Sequence, residues 1–328
     1  KGQISVLLVF AACMWLSLRC LTISFESNAP DFTPHNSLQI QKKGDEQRLF
    51  CTGVSEETII FKDPPPKDPF EACFVSAIFG VSAAESDRPF DARVWAREFP
   101  NHGFFMFTNT VDLESPGWRT VLYYDKRFRR MVTESRYPKW LAWKHEIIEK
   151  FCPVVYYLDG SSQPAKSLQD FRAITQLLLE SGVGLAQAKH AVRDLRNEMR
   201  AIVKKKRDTK ANMEATRKWL ERQPDFSYDC QLYANTHFGY NPANLMFRKA
   251  TQFFWDQYSK EEFSWRDQPF WCYTLYHFNM TPIGLHGFFN TSEKQQGGRL
   301  GGHKYDENTN TEAETFLKRK RKICQMIP

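Results

Sequence analysis

Four short apolar runs stand out in the first half of the chain: 72–79, closed by Gly80, then 103–107, 119–124 and 153–158. Each is apolar at consecutive rather than alternate positions, which predicts strands covered on both faces. Before the fourth run, Trp140, Trp143, Ile147 and Phe151 recur on one side of a predicted helix over 138–151, with Pro138 at its start. A second helix is predicted over Leu168–Leu179, broken at Gly182 and Gly184. Leu185, Ala188, Val192, Leu195, Met199 and Ile202 then follow steps of three and four, predicting a helix with one apolar stripe and a basic opposite face. A last helix in this stretch passes through Trp219 and Leu220 and ends before Pro224. Strands alternating with helices predict an α/β fold, a mostly parallel sheet flanked by helices.

The two ends of the chain read differently. Ile4–Leu18 is 15 uncharged residues, interrupted by Arg19. It is short for a spanning helix of about 20 residues and fits the apolar core of a signal peptide equally well. Residues 1–25 are therefore expected to be a signal-anchor or a cleaved signal. Residues 26–70, with Pro30, Pro34 and Pro64-Pro65-Pro66, lack helical or strand periodicity and read as a stem. The folded domain is expected over 71–286 and a flexible basic tail over 287–328. Apolar anchor, polar stem and compact domain form the layout of a Golgi membrane enzyme facing the lumen, with a secreted protein as the alternative.

Composition narrows the class. The 328 residues are 42% hydrophobic and 15% aromatic, too apolar for a disordered chain. A mean hydropathy of −0.54 excludes a polytopic membrane protein. The net charge of +7 is local: Lys189–Arg222 holds 12 basic and 5 acidic residues, and 318–322 is five basic residues in a row. The rest of the chain is mildly acidic. A solvated helix face is the plainer reading of the first basic stretch, with phosphate or acidic-glycan contacts as the sharper one. No nucleic-acid-binding motif accompanies it, so no nucleic-acid partner is expected. Six cysteines follow residues 1–25, none in a Cys-x-x-Cys pair, which permits disulfides and argues against structural zinc. Two glycosylation sequons begin at Asn279 and Asn290.

Two places could carry chemistry. In Tyr156-Tyr157-Leu158-Asp159-Gly160-Ser161, a carboxylate at the end of a buried strand lies where open α/β sheets bind ligands. Such a carboxylate could hold a divalent ion bridging nucleotide phosphates, although an apolar-Asp-Gly turn is also an ordinary strand ending. In Phe263-Ser264-Trp265-Arg266-Asp267-Gln268-Pro269-Phe270-Trp271, three polar side chains sit among aromatics. Burying them is costly unless they neutralise one another or face a ligand.

These residues, with Val75–Gly80, Phe104–Asn109, Arg129-Arg130, Tyr137-Pro138-Lys139, Lys189–Arg193, and Trp255 eleven residues before Arg266-Asp267-Gln268, form an ordered set from Cys73 to Ile283. The set resembles the glycosyltransferase-like family of plant turgor-regulation and mucilage-related proteins. The resemblance implies a GT-A-like (Rossmann-like) fold, a nucleotide-sugar donor and a glycan or glycoprotein acceptor. The chain departs from the familiar Asp-x-Asp pattern, having Asp159 alone.

Sugar transfer needs a stabilised pyrophosphate leaving group and a carboxylate near the reacting carbon or acceptor hydroxyl. Asp159 and Gly160, with Mn²⁺ or Mg²⁺, are expected at the donor site. Arg136, Lys139, His190 and Arg193 are the expected phosphate neighbours. Asp267 is the expected catalytic carboxylate, with Arg266 and Gln268 positioning it. His237 is a candidate metal ligand or a satisfied core histidine. A catalytically silent lumenal glycan-binding relative and a nucleic-acid-binding protein are the competing classes.

Overall fold

A computed structural model describes residues 57–80, 89–125, 127–160, 162–190 and 194–291, all within one unit spanning 50–328. The apolar segment at 4–18, most of the expected stem, Arg193 and the expected tail of 287–328 beyond residue 291 lie outside the described residues, while Phe289–Thr291, read as tail, is a strand. In chain order the elements are β1 (Glu57–Phe61), β2 (Ala72–Ile78), α1 (Ala92–Glu98), β3 (His102–Thr108), β4 (Arg119–Asp125) and α2 (Met131–Leu141). A 3₁₀ turn (Ala142–Lys144) leads to α3 (Glu146–Phe151), β5 (Val155–Leu158), β6 (Ser162–Pro164), α4 (Leu168–Glu180) and β7 (Leu185–Lys189). There follow α5 (Leu195–Lys204), α6 (Lys210–Glu221), β8 (Tyr233–Tyr240), α7 (Leu245–Tyr258), α8 (Gln268–His277), β9 (Ile283–Gly284) and β10 (Phe289–Thr291).

The main sheet has the order β1-β4-β3-β2-β5-β8-β7-β9, and β6 pairs separately with β10. Strands β2, β3, β4 and β5 pair in parallel, while β1 and β8 run against their neighbours. The fold is thus mixed α/β with a mostly parallel central sheet.

Strand alternation explains the consecutive apolar runs, because each run feeds two cores. Cys73, Val75, Phe105, Phe107, Val155 and Tyr157 face one core, which also holds Tyr137 and Trp140 of α2, Phe254 of α7 and Trp271 of α8. The intervening Phe74, Phe104, Met106, Tyr156 and Leu158 face the other, with Phe171, Ile174 and Leu178 of α4 and Phe99 beyond α1. Aromatic rings fill the first core by direct contact. Trp140 stands 4.2 Å from Trp271 and 4.7 Å from Phe238, ring centre to ring centre.

Several expectations change. The stripe Leu185–Ile202 is not one helix. Leu185–Ala188 form the buried strand β7, and α5 starts only at Leu195, where the Asp194 side chain accepts from Asn197 N–H. Apolar residues of a two-sided strand matched helical spacing by coincidence, and Gly184 at φ +61° turns the chain into that strand. Pro138 lies inside α2 rather than at a helix start, with the 3₁₀ turn and α3 following it. Glu57–Phe61, read as part of the stem, is an edge strand on β4. The strand β8 drew no expectation, because its Thr236, His237 and Gly239 interrupt the apolar pattern.

Two disulfides close long loops: Cys73–Cys152 ties β2 to the end of α3, and Cys230–Cys272 ties the approach to β8 onto α8. Cys51 and Cys324 lie outside the described residues. Among the described residues no helix is long and apolar enough to cross a membrane.

Candidate functional site

Strand β5 ends at Leu158, and the next residue keeps its backbone tied to the sheet, Asp159 N–H donating to Thr236 C=O at 2.7 Å. Alternation sends Tyr157 toward the core of α2 and α8, and the Tyr157 hydroxyl donates to Asp159 Oδ1 at 3.0 Å. Burial raises the Tyr157 phenol well above its ordinary pKa, with the Asp159 charge adding to the effect, so the phenol stays protonated as a donor. Gly160 sits where a Cβ would come within 2.9 Å of Ile78 Cδ1, so its small size serves close packing beneath the turn.

Lys139 reaches this point from α2. Its ammonium is 2.9 Å from Asp267 Oδ2 and 3.6 Å from Asp159 Oδ1, and lies over the rings of Tyr157 (5.2 Å) and Trp140 (5.7 Å). Arg136, one turn earlier on α2, places Nε 3.6 Å from the same Asp267 oxygen. Asp267 occupies the N-cap position of α8, where an aspartate ordinarily accepts from the first-turn N–H groups. Here its carboxylate makes no such bond and stands against Lys139 and Arg136. The Arg-Asp-Gln segment and the Tyr-Pro-Lys segment, far apart in sequence, meet at one ion cluster.

The cluster is deep at one end and open at the other. The side chains of Lys139 and Asp267 are 2% and 5% exposed, whereas Asp159 is 29% exposed. Burial pushes the Asp267 carboxyl upward, but Lys139, Arg136 and Arg266 outweigh it and hold the group well below the usual carboxylate range. Burial pulls the Lys139 ammonium down, opposed by Asp159 and Asp267. Burial also lowers Arg136, yet the two aspartates prevail and raise it. A carboxylate held this firmly ionised is a weak proton acceptor at neutral pH. Asp267, the expected catalytic carboxylate, thus anchors Lys139 and Arg136, and of the two roles open to such a group its firm ionisation suits charge stabilisation better than proton abstraction.

Polar side chains fix the frame, among them Gln268, which was expected to position Asp267 and bonds to β8 instead, and others that the sequence pattern did not single out. Gln268 Nε2 donates to the Tyr233 carbonyl, joining the start of α8 to β8. Trp271 Nε1 donates to Gln187 Oε1 at 2.8 Å, and Gln187 Nε2 donates to Asn235 Oδ1 at 3.3 Å. Before α8, Asp208 accepts from Ser264 Oγ and from Trp265 N–H at 3.0 Å. Glu261 accepts from the backbone N–H groups of Arg129 and Arg130, both at 2.9 Å, where α2 begins. Only the strand period pointed to Tyr157. Asp208 is hidden in a basic run, and Gln187 in the false helical stripe.

The remaining expected site residues divide. Arg266 lies beside Asp267, and its buried Nε has no hydrogen-bond partner among the described residues. His237, opposite Leu158 in the β5–β8 pairing, packs 5.0 Å from the Phe289 ring with Nδ1 3.3 Å from Thr236 Oγ1. Burial lowers its pKa, opposed by Asp159, so its ring is neutral at the rim of the cluster. His190 follows β7, its N–H donating to Leu232 C=O, and no described contact joins it to Asp159 or Asp267. Arg193 lies outside the described residues.

The fit of a divalent ion at Asp159 turns on charge. A hard cation can be held by one or two carboxylates together with substrate phosphates, so a single aspartate does not decide the question. The Lys139 ammonium does. Like unit charges about 4 Å apart repel by about 4 kcal/mol at an effective dielectric near 20, and a divalent ion doubles that. Arg136, Lys139 and Arg266 already outnumber Asp159 and Asp267, and no group of three or more His, Cys, Asp or Glu side chains converges among the described residues. These donors fit an anion better than a divalent cation.

No protein-family model matches the chain, and neither does any curated protein sequence. Among solved structures, the chain is similar to the WbbM bifunctional glycosyltransferase in its apo form, at 11% identity and TM-score 0.38. The match covers 68% of this chain and 39% of that one. It is also similar to core-mannan synthase A of Aspergillus fumigatus in its Mn/GDP form, at 12% identity and TM-score 0.37, over 68% of this chain and 76% of that one.

Proposed function

We propose that this chain is a glycosyltransferase that takes a sugar from a nucleotide-sugar donor and passes it to a glycan or glycoprotein acceptor. One observation carries the reading: Asp159, at the carboxyl end of β5 in a mostly parallel sheet, opens to solvent in front of the buried Lys139–Asp267–Arg136 cluster. Ligands of open α/β sheets bind at that end of the strands. Lys139 and Arg136, held by Asp267, supply positive charge where a departing diphosphate would need it. Asp159, the partly exposed carboxylate, is the group able to meet the donor sugar or the acceptor hydroxyl. The ordered resemblance from Cys73 to Ile283 supports the same class.

The two disulfides support an oxidising compartment. With the apolar segment 4–18 they favour residence in the Golgi membrane with the folded domain in the lumen. A catalytically silent glycan-binding relative is the second reading, favoured by the ionised, buried state of Asp267, which leaves the site without a second exposed carboxylate.

Thermal stabilisation of the purified chain by a panel of nucleotide sugars tests the proposal. Binding by at least one donor is expected, with Asp159→Ala weakening it about tenfold, the loss of one charge-assisted contact. Failure of every donor at about 1 mM, the weak limit of specific binding, would overturn it. Binding without any sugar transfer or donor hydrolysis would establish the silent reading.

A further inference from the structure

Resting on that reading of the site, we infer that the chain holds its diphosphate ligand without a divalent metal, the Lys139 ammonium beside Asp159 supplying the positive charge that an ion would otherwise supply. The geometry is specific. Lys139 Nζ lies 3.6 Å from Asp159 Oδ1, too long for a firm hydrogen bond, and 2.9 Å from Asp267 Oδ2, which anchors it. An ammonium carries three donors, so one close contact with Asp267 leaves it further N–H capacity.

The side chain has no freedom to withdraw in favour of an ion. It is 2% exposed, lies against the rings of Tyr157 and Trp140, and is tied to a carboxylate that also meets Arg136. Tyr157 OH takes up a lone pair of Asp159 Oδ1, the same oxygen nearest Lys139. Around this point stand three cations, Arg136, Lys139 and Arg266, against the two aspartates. The buried Nε atoms of Arg136 and Arg266 have no hydrogen-bond partner among the described residues. A cluster with surplus positive charge attracts an anion and repels a second cation. Lysine is a recurrent point-charge binder of phosphate, which is the chemistry this position offers.

Calorimetric titration of the full chain with uridine diphosphate, guanosine diphosphate and inorganic pyrophosphate, in EDTA and in excess Mn²⁺, tests the inference. For the nucleotide that binds, the dissociation constant is expected to agree within about twofold between the two conditions, a difference below about 0.5 kcal/mol. Lys139→Gln is expected to weaken binding in EDTA by about tenfold or more, and Mn²⁺ to restore part of it once the ammonium is gone. Arg136→Gln, which leaves the Lys139–Asp267 pair in place, should weaken binding in both conditions and guards against a folding defect in the first variant. Binding that appears only with Mn²⁺ would overturn the inference and leave the proposed function standing. Absence of binding in both conditions would remove the proposed function and this inference with it.

Discussion

Lys139 of α2 and Asp267 at the start of α8 form a buried ion pair, Nζ to Oδ2 2.9 Å, behind the more exposed Asp159. The pair binds two helices to each other and to the end of β5. Buried pairs contribute little net stability against an apolar replacement, because desolvation offsets their attraction, but removing one partner leaves an uncompensated charge.

Asp267→Asn should therefore destabilise the fold by about 3–5 kcal/mol, since it strands both Lys139 and Arg136. The double variant Asp267→Asn with Lys139→Met should recover a substantial part of that loss. Urea unfolding of the single and double variants measures both, and equal losses in the two would show that the pairing is not the cause.

His145 should make the fold acid-sensitive. Its ring is buried among Phe107, Tyr123 and Tyr137, and burial, with a smaller effect of Lys144, lowers its pKa to about 3. The unfolded chain takes up the proton near pH 6.5, so between about pH 6.5 and 3 the unfolded state binds more protons. Stability is then full above that window and falls as the pH falls, by up to about 1.4 kcal/mol per pH unit from this group. His145→Phe should flatten the dependence of unfolding free energy on pH in that window. His102, lowered to about 4 chiefly by burial, contributes a similar slope over a narrower range and should remain visible in the variant.

Reduction should weaken the domain. Each disulfide closes a loop, of 79 and 42 residues in sequence separation. Loss of either native bridge costs about 2–5 kcal/mol. Paired serine variants, Cys73→Ser with Cys152→Ser and Cys230→Ser with Cys272→Ser, should each lower the melting temperature. Cys230–Cys272 anchors α8, which carries Asp267 at its cap, so its loss should also weaken diphosphate binding. A variant that melts earlier but binds unchanged would separate the bridge from the site.

The runs 72–79, 103–107, 119–124 and 153–158 declared four central strands, because a strand covered on both faces needs apolar residues at consecutive positions and little else in the chain imitates that. The same sequence placed Asp159 at a strand end and Arg266-Asp267-Gln268 inside an aromatic segment. Local pattern could not reveal that Leu185–Ala188 is a strand, since its two-sided burial imitates helical spacing, nor that β8 completes the sheet through a polar stretch. The partnership of Lys139 with Asp267 and Asp159 was also invisible: each charge is ordinary in its own segment, and only the packing of α2 and α8 against the end of β5 brings them together. Burial periodicity is a property of neighbouring residues and is written along the chain. The charge state and role of a buried group depend on what distant segments place beside it, so the tertiary structure decided that Asp267 anchors cations and that Asp159 alone of the two carboxylates opens to solvent.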